Sequence, residues 1–203
     1  MSDTPDDDPA LRAAAAGDPA AWRAVVDRHH PRLRRMVDLR LDPRLRGRVD
    51  PSDVLQEVYL DAARRLPDYC REPPLPFFLW LRQLAGTHLA KARRHHLDAR
   101  RRDARREEPG PAPAVSSVAL ADRLLAADPR PSEAAARNEL RDRLLAVLDR
   151  MDPLDREVLA LRHFEQLTNG EAARTLGLSD GAASKRYVRA VERLRDLLAG
   201  WPV

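Results

Sequence analysis

Apolar residues recur at spacings of three and four over most of the chain, the period of a helix with one buried face. Pro and Gly cut that pattern into segments. Asp18-Pro19 marks a helix start, Asp as cap and Pro at the first position, followed by Trp22, Val25, Val26, His29 and Leu33. Pro31 is expected to break or restart this helix, after which Leu33, Met36, Val37 and Leu41 continue the stripe; residues 42–47 read as a connection. Asp50-Pro51-Ser52-Asp53 opens the next helix, with Leu55, Tyr59, Ala62 and Leu66 inward. Pro67 is expected to end it, and residues 67–76, with Pro73, Pro74 and Pro76, to be non-helical. A helix from Phe77 follows, with Phe77, Trp80, Leu81, Leu84 and Leu89 as its core residues.

Residues 107–117 form a Pro/Ala-rich, semi-rigid linker. Beyond it the pattern predicts a short helix over 118–127, a long one capped by Ser132 and running through Arg150, and another opened by Asp152-Pro153. Strand alternation and internal repeats are absent from the pattern. The predicted fold class is all-α: two small helical domains joined by the linker. The expected boundaries are a disordered acidic tail over 1–17, a first domain over 18–106, a linker over 107–134 and a second domain over 135–200.

The stretch from Leu167 to Leu198 reads as a helix-turn-helix. Thr168 and Glu171 make a capping box, Ala172, Ala173 and Leu176 give a short helix an inner face, Gly177 supplies the turn, and Ser179 caps a second helix. On that helix Ala183, Tyr187, Ala190, Val191 and Leu194 are expected inside. Ala182, Lys185, Arg186, Arg189 and Arg193 are expected outside. A helix that is small near its start and cationic beyond suits a DNA major groove.

Charge sharpens this picture. Net charge is only +4 while the pI is about 9.8. The charge sits in blocks, and residues 91–106 alone carry eight Lys or Arg against two Asp. Cys70 is alone, which excludes an intrachain disulfide and a metal-thiolate motif and fits a reducing cytoplasm. No apolar run reaches membrane-spanning length, and the acidic start argues against secretion. His29–His30 and His95–His96 are adjacent pairs that point to different sides of a helix and do not chelate. With no HExxH, phosphate loop, GxSxG or convergent acid pair, the expectation is no catalytic residue, no metal and no cofactor.

The motifs resemble the extracytoplasmic-function class of bacterial RNA polymerase sigma factors, the class reduced to sigma domains two and four. DPSDVLQEVYLDAARRL looks like the polymerase-binding helix, PFFLWLRQLAGTHLAKARR like the promoter-melting helix, and MDPLDREVLALRHFEQLTNGEAARTLGLSDGAASKRYVRAVERLR like domain four. Thr87, Lys91, Gly170, Ala182 and Ala183 depart from the usual pattern. The resemblance implies docking on core polymerase through Asp53, Gln56, Glu57 and Leu60. It implies downstream-element contacts from Tyr69, Arg71, Phe78, Trp80, Arg82, His88, Lys91 and Arg94, with the 67–76 loop taking a flipped base. Upstream contacts would come from Ser184, Lys185, Arg186 and Arg189, with Arg186 at a base edge. The partners implied are core RNA polymerase and promoter DNA, with room for an anti-sigma factor and none for a membrane. A helix-turn-helix regulator independent of polymerase is the rival reading; a metal-dependent nuclease is the rival enzyme.

Overall fold

The computed structural model describes residues 8–97, 112–127 and 134–199, with side chains throughout except at 96–97, 134–137 and 197–199. Every regular element among these residues is helical. The chain divides into two compact units, Met1–Pro113 and Ala114–Val203. The first contains α1 (Pro9–Ala15), α2 (Pro19–Arg40), a short 3-10 turn (Pro43–Leu45), α3 (Pro51–Arg71) and α4 (Phe77–Leu97). The second contains α5 (Ser117–Ala127), α6 (Ala134–Arg150), α7 (Pro153–Leu159), a π-helical turn (Ala160–Phe164), α8 (Asn169–Leu176) and α9 (Asp180–Ala199).

One dipeptide starts five of these elements. Asp8, Asp18, Asp42, Asp50 and Asp152 each precede a Pro, and each carboxylate accepts from the amide two residues on. Pro gives up no useful donor there, and the cap satisfies the amide that follows it. Such a cap contributes about 1 kcal/mol.

Asp8 and α1 correct the expected tail. Residues 1–7 lie outside the described residues, but Asp8 caps a helix whose Leu11 is buried against the rest of the unit, and Asp8 also pairs with Arg28 of α2. The acidic run before it hid a helix start of the same form as the others.

Two prolines also behave otherwise than expected. Pro31 lies inside α2 and Pro67 inside α3, so residues 67–71 are helical and the connection shrinks to 72–76. An interior Pro removes a donor to the carbonyl four residues back and costs about 3 kcal/mol. Both prolines are exposed, as are Asp27 and Ala63, whose carbonyls lose their partners, so water can take the place of the missing amide. Burial continues past each break: Leu33, Met36 and Val37 after Pro31, Tyr69 after Pro67. Side chains of that kind each contribute roughly 1.5–3 kcal/mol when fully buried, enough to carry a helix through.

Helix α5 falls inside the stretch expected as linker. Ala119, Leu120, Ala121 and Leu125 are buried, and Asp122 accepts from Arg141 of α6 at 3.0 Å, so α5 packs in the second unit. The remainder of the linker, the basic run beyond residue 97 and the Ser132 cap lie outside the described residues. Just before α5, Pro113 accepts from Arg40 at 2.6 Å, and Ala112 lies so close to Gly86 of α4 that a Cβ there would meet its Cα at 2.6 Å. Residues 112–113 are therefore held against the first unit.

Tests at three positions probe this packing. Leu11→Ala should lower stability by about 2–4 kcal/mol in urea unfolding of the full chain, against no measurable change if 1–15 were a tail. Cys70 sits beside the Leu11 carbonyl at 3.9 Å, and burial pushes its thiol above the ordinary range, so it should alkylate slowly at neutral pH. Leu11→Ala should speed that alkylation. Gly86→Ala should lower stability in urea unfolding while leaving α4 helical, since the added Cβ would meet the Ala112 backbone at 2.6 Å although Ala is the better helix former.

Candidate nucleic-acid interface

The turn between α8 and α9 is built by local hydrogen bonds. Thr168 Oγ1 accepts from Glu171 N at 3.2 Å and Glu171 Oε2 accepts from Thr168 N at 2.6 Å, closing the capping box. Gly177 sits at φ +65, the left-handed turn that favours glycine, and Leu178 N donates back to Ala173 O at 2.9 Å. Ser179 Oγ then accepts from Ala182 N at 3.2 Å. Asn169 Nδ2 donates to Asp180 O at 2.8 Å and ties the two helix starts together. Ala172, Ala173, Ala183 and Ala190 are buried, so small side chains let α8 and α9 lie close to their neighbours.

This packing leaves Gly181, Ala182, Ser184, Lys185, Val188 and Arg189 exposed on the first half of α9. Arg186 is not among them. It donates to Asp155 at 2.6 Å and reaches Asp152 at 3.4 Å, at the start of α7, and only 34% of its side chain is accessible. At about 100° per residue Arg186 falls on the flank of α9 that faces α7, not on the outer face. In the free chain the guanidinium is held by two carboxylates, so the expected contact at a base edge would require that pairing to open. Val191, expected inside, is 39% exposed. Tyr187 is half-buried, with the Arg162 guanidinium 5.5 Å from its ring centroid.

The expected downstream set splits in two. Tyr69, Phe78, Trp80 and Arg82 are buried. Tyr69 stacks on Trp80 with ring centroids 4.6 Å apart and meets Phe77 edge-on at 5.4 Å; His29 meets Phe77 at 5.2 Å. The Arg32 guanidinium lies 3.8 Å from the Phe78 centroid. Helix α4 packs on α2 and α3 together, and no side chain between Phe77 and Gly86 is exposed. A side chain closed in on every side has no face for a base, so these four are corrected from contacts to supports. The Tyr69 hydroxyl donates to Leu75 O at 3.0 Å and so fixes the 72–76 loop. Arg71, Lys91 and Arg94 are exposed, Arg71 beside Asp68; His88 is half-buried, its Nε2 3.4 Å from Asp61 of α3.

On α3 the expected docking face is intact as a surface. Asp53, Gln56, Glu57, Leu60 and Arg64 are all exposed, Leu60 at 47%. Beside it lies an open groove of about 300 Å³, lined by Trp22, His30, Leu55, Tyr59 and Leu60. His30 Nδ1 and the Tyr59 hydroxyl are 3.1 Å apart. Burial, with Asp27 nearby, pushes the Tyr59 phenol up to about 12, so it stays neutral. The groove was not read from the sequence, because Trp22 and Tyr59 fit the pattern of core residues. No helix among the described residues is long and apolar enough to cross a membrane.

Comparison with known proteins gives these surfaces a family. Residues 141–194 match the family described as "Sigma-70, region 4". The chain is similar to the ECF RNA polymerase sigma factor SigD of Mycobacterium tuberculosis, 30% identical over 189 residues, 93% of this chain and 82% of that protein. It is similar to the RNA polymerase sigma factor CarQ of Myxococcus xanthus, 31% identical over 184 residues, 88% of this chain and 89% of that one. Among solved structures it is similar to CnrH in complex with the cytosolic domain of CnrY, with a TM-score of 0.55 and 25% identity over 95% of this chain and 97% of that one. These likenesses run through both units, which a regulator sharing only the helix-turn-helix would not produce. The chain therefore belongs to the extracytoplasmic-function RNA polymerase sigma factors and acts in transcription initiation.

Proposed function

We propose that the first unit, with residues 18–106 as sigma domain two, docks on core polymerase through Asp53, Gln56, Glu57 and Leu60, and that the second, with 135–200 as sigma domain four, reads the upstream promoter element through the start of α9. One observation carries this. Among the described residues the exposed large hydrophobic side chains are Leu60, Val188 and Val191. They lie on the two helices to which a macromolecular contact is assigned, among exposed side chains that are otherwise polar or small. Isolated exposed apolar residues are common, but their confinement to these two helices favours contact surfaces.

For the downstream element, Arg71, Lys91, Arg94 and the 72–76 loop form the contact set, with His88 at its edge. Tyr69, Phe78, Trp80 and Arg82 hold that set in place. On α9, Lys185 and Arg189 hold phosphates and Ser184 reaches toward a base. The polymerase performs the chemistry and the sigma factor has no catalytic activity of its own; its place of action is the cytoplasm. CnrH is solved with the cytosolic domain of CnrY. By that likeness, an anti-sigma partner is proposed for this chain as well, competing for the α3 face.

Three measurements test the assignment. Glu57→Arg combined with Leu60→Ala should abolish co-purification with core polymerase while the helical circular dichroism spectrum is kept, since both side chains are exposed. Retained co-purification refutes the docking face. Arg189→Ala should weaken holoenzyme binding to all upstream sequences alike and lower the salt slope by about one unit. Arg186→Ala and Asp155→Ala should each cost about 1 kcal/mol of stability, with the double variant no worse than either alone, and should change base preference alike, because both release the same restraint on α9. A loss of preference at one base pair in Arg186→Ala alone would return Arg186 to the base edge.

A further inference from the structure

We propose that Val188 is a specificity-determining residue that packs on the 5-methyl group of a thymine in the upstream element. The inference rests on the reading of α9 as the upstream recognition helix. Val188 is 50% exposed, more than the other exposed large hydrophobics of the described chain. It lies three residues after Lys185 and four after Ser184, so the three share one face. At about 100° per residue Val188 falls near the centre of the exposed arc that holds Gly181, Ser184, Lys185 and Arg189. Arg186, tied to Asp155 at 2.6 Å, fixes the rotation of α9 that puts Val188 there.

The same face limits how far DNA can follow the helix. Glu192 is exposed one turn beyond Val188, and Asp196 one turn beyond that. Beyond Arg189 the exposed charges alternate, Glu192 and Asp196 with Arg193 and Arg195, so the uninterrupted cationic stretch ends near Arg189. Val191 lies past that limit and about 60° round the helix from Val188. The major-groove edges of the four base pairs present donors, acceptors and one apolar feature, the thymine methyl. A branched side chain with one preferred rotamer in a helix offers two methyl groups to it with little freedom to lose. Lys185 and Arg189, both on one flank of Val188, would hold the backbone while Val188 meets the base.

The test uses the full chain assembled with core polymerase, and duplex promoters selected by that holoenzyme from a library randomised over the upstream element. Each thymine of the selected element is then replaced by uracil, which removes only the methyl group. One position should lose about fourfold in affinity, the factor that corresponds to burying one such group. Val188→Ala holoenzyme should bind the thymine and uracil forms of that position equally, and should keep the other base preferences. The proposal is overturned if the selected element has no thymine, if no uracil substitution has an effect, or if Val188→Ala keeps the uracil penalty. If the selection yields no upstream preference at all, the reading of α9 fails, and this inference with it.

Discussion

Helix α4 must satisfy α2 and α3 at once, and the first unit is arranged by that demand. Phe77, Phe78, Leu79, Trp80, Leu81 and Arg82 are consecutive and all buried, which no helix with a single inner face allows. The neighbours supply matching surfaces: His29 and Arg32 from α2 against the phenylalanines, Tyr69 from the last turn of α3 against Trp80. Aromatic contacts of this kind contribute roughly 0.5–1.5 kcal/mol each beyond the area they bury. That explains why α3 continues through Pro67. If the helix stopped there, Tyr69 would be lost from the cluster, and with it the hydrogen bond that anchors the following loop at Leu75. The exposed side chains of α4 are thereby confined to its far end, and those before it to the preceding loop.

The second unit solves a related problem with charge. Helix α9 must present one face outward while its small residues, Ala183 and Ala190, lie against the rest of the unit. Alanines permit close approach but resist rotation weakly, because they have little shape. The pairing of Arg186 with Asp155 and Asp152 supplies the missing angular restraint from the side. Asp152 also caps α7 through Leu154 N at 2.7 Å, so one carboxylate fixes the start of one helix and steadies the rotation of another. Removing Arg186 would leave two carboxylates facing each other near a helix start, where the helix dipole moderates their repulsion.

What was legible in the chain was local. Asp18, Asp50, Thr168 with Glu171, Gly177 and Ser179 act within three or four residues of themselves, and each does in the structure what its type suggests. Asp8-Pro9 has the same form and was obscured by the acidic residues before it. What was not legible depended on distant partners. Arg186 meets a carboxylate 31 residues away, and periodicity cannot distinguish an outward arginine from one turned onto a neighbouring helix. Nor can it separate a helix buried on one side from α4, buried on several. Val188 is the instructive miss. It stands next to Tyr187 in a run read for its cations, yet a wheel centred on Ser184 and Lys185 would have placed it outside, with Val191 at the margin.

The division between supports and contacts has a consequence for how such a protein can change. Ser184, Lys185, Val188 and Arg189 bear little of the core, so substitutions there should fall within about 0.5 kcal/mol of neutral for stability. Tyr69, Phe78 and Trp80 have no such freedom, because truncating a buried aromatic costs about 3–5 kcal/mol, a large part of the margin of a small domain. Arg186 stands between these groups: its loss is cheap for the fold but frees the angle of α9. On the proposed reading of α9, upstream preference can therefore drift by exchange of exposed side chains on a helix whose position is fixed from beneath. On the proposed reading, downstream preference has less room, since the exposed side chains assigned to it are few and the loop beside them is anchored to the aromatic core.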